Sequence, residues 1–537
     1  MTNTASQADF FASPITAMIN MQHPLAILAT RFMWDEIEAA VKPSLAHQVR
    51  IGTISTVTDL LGSHDAITNA GVSAAGRARL NIRLMVSLLY LKHAFNFSDE
   101  DLVQTWSENI YWQHFSGMRY FEPRLPCDAT QVGRFRRALG EAGVEQLLAK
   151  TIEIAISAKA LPVKSLERVI VDTTVQEKAI AHPTDSRLLD IARSKLVQFA
   201  KRTALPIKQT FEREGKQHTR KAASYAHAKQ FKRMHKVIRR QRTIVGKLMR
   251  DIERQLALKG DTQNPQFASL KSKAQRIQTQ QKHDKHKLYA FHAPEAECIS
   301  KGKAKQPYEF GVKVSIAVTH KEGLIVGARS FPGNPYDGHT LAEQLEQTTN
   351  LLQNIQRPTS QDKAQTQTST STQVDIKPLI AVGDLGYRGV KQDNPGVQII
   401  QRGWIKTMTK AQKAWLKRRQ AIEPVIGHVK DDCRMRRCHL KGSDGDALHA
   451  VLCAAGYNIR WLLRAIVAKG IKALDGLCAP AIWLAIAGVL NGLVRKVRSV
   501  RTLMSYLGLA VGLGRRTWLG KMNFAGTTHY SQHRSPD

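Results

Sequence analysis

Residues 168–175 read RVIVDTTV, a run of apolar and β-branched residues of the kind that forms a buried strand, and it ends around Asp172. Its neighbours are far away in sequence. The next strand-like runs are YEFGVKVSIAVTH (308–320) and LIVGARSFP (324–332), joined by the turn-like KEG and therefore read as a hairpin. A fourth, PLIAVGD (378–384), ends in Asp384, follows a helix-like stretch at 339–353, and precedes an apolar run, VQII. The sheet finishes before residue 405, and a long helical pattern runs from about 409 to 469. The chain is thus expected to be mixed α/β, with a sheet assembled from distant segments.

The segment 186–290 interrupts that sheet between its first and second strands. Residues 201–250 alone hold 16 Lys and Arg against two Glu. Its apolar positions Phe231, Met234, Ile238, Ile244 and Leu248 predict a packed helical hairpin without an independent core. Such a segment lies along DNA or remains a solvated arm. The tract SQDKAQTQTSTSTQ (360–373) is a low-complexity loop. Over all 537 residues, 79 Lys and Arg face 44 Asp and Glu, a formal charge of +35, so a polyanion is the expected partner.

The first 155 residues are expected to form a helical domain, with amphipathic stretches at 25–38 and 80–115 and a helix start at Ser98. In CDATQVGRFRRALGEAG (127–143), Asp128 caps a helix that carries Arg134, Arg136 and Arg137 and meets a glycine stop. That helix either sits on phosphates or exposes a solvated basic face. Six cysteines are too sparse for a disulfide framework, which suits reduced thiols in a cytoplasm. Cys433 and Cys438, near His428 and His439, lack zinc-site spacing. The uncharged run 476–494 is close to the minimum length of a membrane span, but its Gly, Pro and Asn content and basic flanks favour a buried helical hairpin or docking segment within a helical, basic extension over 466–537.

Candidate chemistry rests on three carboxylates. Asp172 and Asp384 each close a strand, and the two become neighbours if the first and fourth strands lie side by side. Glu423 stands in RRQAIEPVIGHVKDD (418–432), an otherwise cationic and apolar run. A helix there places Arg419, Glu423 and Lys430 on one face and Ile422, Val425, Ile426 and Val429 on the inward one. Pro424 requires that helix to kink or to restart with the proline in its first turn. Clustered carboxylates repel a phosphodiester unless hard divalent cations stand between them; Mg²⁺ or Mn²⁺, as two ions, fits oxygen ligands of this kind.

These positions resemble those of the bacterial insertion-sequence transposases of the Asp-Asp-Glu class. The stretch 76–128 is similar to their N-terminal domain. VDTTVQEKAIAHPTDSRLL, FHAPEAECISKGKAKQPYEFGVKVS, GNPYDGHTL, GDLGYRG and the run from Arg418 to Arg464 are similar to their catalytic blocks. The resemblance implies a ribonuclease H-like catalytic fold over 165–465 with Asp172, Asp384 and Glu423 as its metal-binding triad. It also implies cleavage of double-stranded DNA at the terminal repeats of a mobile element, transfer of the freed 3′ hydroxyl to target DNA, and a homodimer or larger synaptic assembly, with no membrane. Arg419 and Lys430 match the basic residues expected to grip phosphate, and Arg388 is a further DNA contact. Leu416 stands where related proteins often carry Tyr, a stacking role that Tyr387 or Trp415 could fill. A DNA-binding protein without catalysis and a structure-specific nuclease are the alternatives.

Overall fold

In the computed structural model, the described residues are 13–45, 81–285, 287–300, 307–353, 377–387, 394, 396–403 and 405–469, with the backbone alone of 53–59, 62–68, 404 and 470–493. Two strands, β1 (Thr53–Asp59) and β2 (Gly62–Thr68), form an antiparallel hairpin, a departure from the all-helical N-terminal domain expected; the other regular elements among the described residues there are helices. The main sheet has six strands: β3 (Arg168–Glu177), β4 (Glu297–Ser300), β5 (Tyr308–Thr319), β6 (Ile325–Phe331), β7 (Ile380–Val382) and β8 (Gln398–Ile400).

β3 is central. On one side it pairs antiparallel with β5, and on the other it pairs parallel with β7, which pairs parallel with β8. β4 and β6 lie end to end along the outer edge of β5, since Gly311 and residues 313–318 pair outward while also pairing with β3. The order β6-β5-β3-β7-β8, antiparallel on one flank and parallel on the other, is a ribonuclease H-like sheet. Val169, Ile170 and Val171 are buried, as a β-branched run sandwiched between layers requires. β4, the short ECIS segment, has no counterpart among the expected strands.

The sheet shares one apolar core with the N-terminal helices. Helix Ile82–Phe95 contributes Leu88, Leu89 and Leu91, helix Ala129–Ser157 contributes Val144, Leu148 and Ile152, and the helix beginning at Gly442 contributes Val451, Leu452 and Ile459. Buried Asn458 ties three of these layers: it accepts from the Ile325 amide at 3.0 Å and donates to Ile325 O at 2.8 Å and Thr151 Oγ1 at 2.9 Å. Gly456 lets two helices touch, because a Cβ there would lie 2.5 Å from the His93 carbonyl carbon. The stretch Gly442–Lys469 is long and apolar enough to cross a membrane, yet most of it is buried inside the protein. The run 476–494 lies outside the residues whose side chains are described.

Helix starts follow the expected capping. Ser98 accepts from the Asp101 amide and Asp128 from the Thr130 amide. The glycine stop falls at Gly140, whose φ of 64° breaks the helix before it resumes to Ser157. The insertion differs from expectation. Its four helices, Asp185–Arg202, Glu212–His227, Phe231–Leu258 and Pro265–Thr279, enclose a core of their own built on Leu189, Leu196, Val245, Leu248, Ile252 and Ile277. The first and last helices supply the apolar surface that the central basic stretch lacks. The chain divides into two compact units, 1–466 and 467–537.

Candidate active site

Asp172 lies in the middle of β3 and Asp384 two residues past the end of β7. The register pairs Ile170 with Val382, so each aspartate follows its paired residue by two positions and the two stand at the same level on adjacent parallel strands. Asp172 Oδ1 accepts from the Thr173 amide at 2.8 Å. Asp384 Oδ1 accepts from the Gly386 amide at 2.7 Å, which tightens the turn after β7.

Glu423 arrives from the C-terminal side. A helix over Lys410–Arg418, with a Thr409/Gln412 capping box, passes through a 3-10 turn at Arg419–Ala421 and restarts as helix Ile422–Asp432. Pro424 sits in the first turn of the restarted helix, where a missing amide costs nothing. Ile422, Val425 and Val429 are buried and Glu423 is exposed, as the periodicity requires. Arg418 anchors the preceding helix by donating to His320 O at 2.9 Å, and Arg168 stacks 3.7 Å from the Trp415 ring centroid.

Arg419 joins the two halves. Its Nη1 donates to Asp172 Oδ2 at 3.1 Å and its Nη2 to Glu423 Oε1 at 3.5 Å, so one guanidinium bridges two of the three candidate ligands. Oxygen donors converge here around a positive charge, a donor set suited to hard divalent cations. A further carboxylate, Asp337, joins the group: a Cβ built on Gly386 would lie 2.9 Å from Asp384 Oδ1 and 3.0 Å from Asp337 Oδ2. Asp337 lies in GNPYDGHTL, a stretch that carried the family resemblance but pointed to no particular residue.

Several expected DNA contacts are corrected. Tyr387 is buried beneath the cluster and cannot stack on a base; burial, then the negative charge of Asp172, Asp337 and Asp384, pushes its phenol well up. Trp415 has its face covered by Arg168. Arg136 points inward, four residues after Val132 and three before Leu139, and pairs with Asp99 at 3.5 Å. Arg134 and Arg137 are exposed on the other face of that helix. Lys430, largely covered, pairs with buried Glu309 at 3.8 Å. Arg388 lies outside the described residues. Burial pushes the Cys433 and Cys438 thiols up to about 12, so both are held as neutral thiols.

The mixed sheet defines a ribonuclease H-like core, with Asp172 and Asp384 at the same level on adjacent strands and Glu423 on a following helix. Residues 13–138 match a Transposase domain (DUF772), and residues 273–459 match the Transposase DDE domain. The chain belongs to the DDE transposases. The second match includes Asp384 and Glu423; Asp172 and most of the insertion lie before it. Over 156 residues the chain is 46% identical to a protein described as "Uncharacterized protein ORF8 in nfe locus" from Rhizobium meliloti, covering 29% of this chain and 75% of that one. No solved structure matches the chain. DNA is the partner that the family implies, and its members generally use divalent metal ions.

Proposed function

We propose that the protein cuts DNA at the ends of an insertion sequence and joins the freed 3′ hydroxyl to target DNA, with Asp172, Asp384 and Glu423 as its metal-binding triad. The observation that carries this reading is the parallel pairing of β3 with β7. It sets Asp172 beside Asp384, while Arg419 links Asp172 to Glu423. Two Mg²⁺ or Mn²⁺ ions, when bound, would activate the attacking oxygen and stabilise the leaving one. The chain's own residues do the rest. The two aspartates are held by rigid strands and backbone amides, and Glu423 by a helix whose inward face is locked in the core. Arg419, held between Asp172 and Glu423, would grip a substrate phosphate brought to these carboxylates.

Binding of the duplex is assigned to Arg134 and Arg137 on the N-terminal region and to the basic insertion. At its tip, exposed Lys229, Lys232, Arg233 and Lys236 surround Phe231, which is 55% exposed. Joining two element ends in one event calls for a homodimer or larger synaptic assembly, associated with the nucleoid. The test is incubation with a labelled element end, Mg²⁺ and a target plasmid. Cleaved and joined products are expected, and Asp172→Asn, Asp384→Asn and Glu423→Gln should each abolish both while retaining DNA binding. Cleavage without joining would reduce the protein to a nuclease, and an active Glu423→Gln would remove that residue from the triad.

A further inference from the structure

Asp337 opens the 3-10 turn Asp337–Thr340, on the segment that leads from β6 to helix Leu341–Leu352. Its Oδ1 accepts from Thr173 Oγ1 at 2.9 Å and from Lys313 Nζ at 2.8 Å. Thr173 directly follows Asp172 on β3. Lys313 stands on β5, is 9% exposed, and also donates to Pro335 O at 2.5 Å. The other oxygen, Oδ2, faces Asp384 Oδ1 across Gly386, whose amide holds that same Asp384 oxygen. Any side chain at position 386 would wedge these carboxylates apart.

We propose that Asp337 is a positioning residue of the catalytic centre, a claim that rests on the triad reading above. Through Thr173 it pins the part of β3 that carries Asp172, and across Gly386 it flanks the turn that carries Asp384. Lys313 compensates its charge at Oδ1, while Oδ2 faces Asp384 Oδ1 across Gly386. The face toward Asp384 stays negative and strengthens the field that attracts a divalent cation. An aspartate used only as a hydrogen-bond acceptor for Thr173 and Lys313 would be replaceable by asparagine, whose Oδ1 can accept both bonds. Charge is what separates the two roles.

The test is Mn²⁺ titration of the full chain, with free Mn²⁺ read by electron paramagnetic resonance, alongside element-end cleavage. Asp337→Asn should weaken Mn²⁺ binding about tenfold. Its half-saturating Mg²⁺ for cleavage should rise in parallel, with DNA affinity unchanged. Wild-type Mn²⁺ affinity in a folded Asp337→Asn overturns the proposal. If that variant does not fold, Thr173→Val decides: it removes the pin and keeps the charge. It should lower the cleavage rate at saturating Mg²⁺ by about tenfold, and a wild-type rate overturns the proposal. Asp172→Asn serves as the reference. If it binds Mn²⁺ like the wild type, the triad reading has failed; if it loses binding while Asp337→Asn does not, only the role of Asp337 has failed.

Discussion

Lys178→Met tests how the catalytic strand is fastened to the helix beginning at Gly442. Lys178 follows the last residue of β3, and its Nζ contacts Asp446 Oδ1 at 2.7 Å and Glu295 Oε1 at 2.8 Å. The lysine and Asp446 side chains are 4% and 3% exposed. Neighbouring bonds close the joint: Gln176 Nε2 donates to Asp446 O at 3.0 Å, and the Gly442 amide donates to Glu295 Oε1 at 2.8 Å. Methionine keeps the volume and removes the charge, so the lost quantity is the compensation of a buried carboxylate, Asp446, and a partly buried one, Glu295. Breaking a buried pair in this way costs about 3–5 kcal/mol. At roughly 2 °C per kcal/mol for a unit of this size, the melting temperature should fall by about 6–10 °C in differential scanning calorimetry. The deficit should shrink as the pH is lowered toward 4, because the uncompensated carboxylates take up protons more readily in the folded variant than in the unfolded chain. A Lys178→Met protein melting within about 1 °C of wild type at pH 7 would refute the assignment of this network as a fastening.

Two further outcomes are expected. His449 is buried and its pKa is brought down to about 3, by burial first and then by Lys92, Arg136 and Arg434; His93 beside it is shifted in the same direction. A folded-state pKa below the unfolded value near 6.5 makes the unfolded chain the better proton acceptor. Stability is therefore complete above about pH 6.5 and is lost progressively as the pH falls toward 3, by roughly 3–5 kcal/mol for His449. Melting temperatures measured from pH 7.5 to 4 should show this decline, and His449→Asn should flatten it. In the insertion, changing Lys229, Lys232, Arg233 and Lys236 to Gln should weaken duplex binding without sequence preference and reduce the slope of log affinity against log salt by about 3–4. Fluorescence anisotropy between 50 and 200 mM salt reads the slope on the scale where such contacts matter. An unchanged slope would mean that this tip does not touch phosphates.

The sheet was legible because its strands are runs of β-branched residues bounded by turns, a signal that survives any distance in sequence. Its pairing was legible in part: the hairpin of β5 and β6 follows from the three residues KEG between them, whereas the adjacency of β3 and β7 stood only as a condition, which their parallel pairing meets. The restart at Pro424 could be read because proline's missing amide leaves few options. β4 could not, since four residues with Glu at one end and Ser at the other carry no alternation. The core of the insertion escaped because its apolar residues are spread over three helices and the segments beside them. Leu189 and Leu196 face Val245 and Leu248 only once the chain has folded back on itself. Asp337 escaped for a different reason. It lies in a connecting segment, and its relation to Thr173, Lys313 and Gly386 exists only in three dimensions.

The cations show most plainly what residue spacing leaves open. Periodicity gives the residues that share a face of a helix and says nothing about what stands opposite that face. Arg134, Arg136 and Arg137 looked alike in sequence, yet Arg136 falls on the inward face and meets Asp99. Lys178, Lys313, Arg419 and Lys430 likewise end against carboxylates of the catalytic core. A formal charge of +35 is therefore no measure of the field that DNA meets near the triad, because these four cations are already compensated there. In residues 201–250, 16 basic residues face only Glu212 and Glu214, and both glutamates are already paired, to Lys216 and to Arg240 and His218. Most of the net attraction for a duplex must then come from the insertion, with the catalytic core contributing geometry. Neutralising the insertion tip should cost DNA affinity and spare the chemistry of bound DNA, while changes at Arg419 should do the reverse.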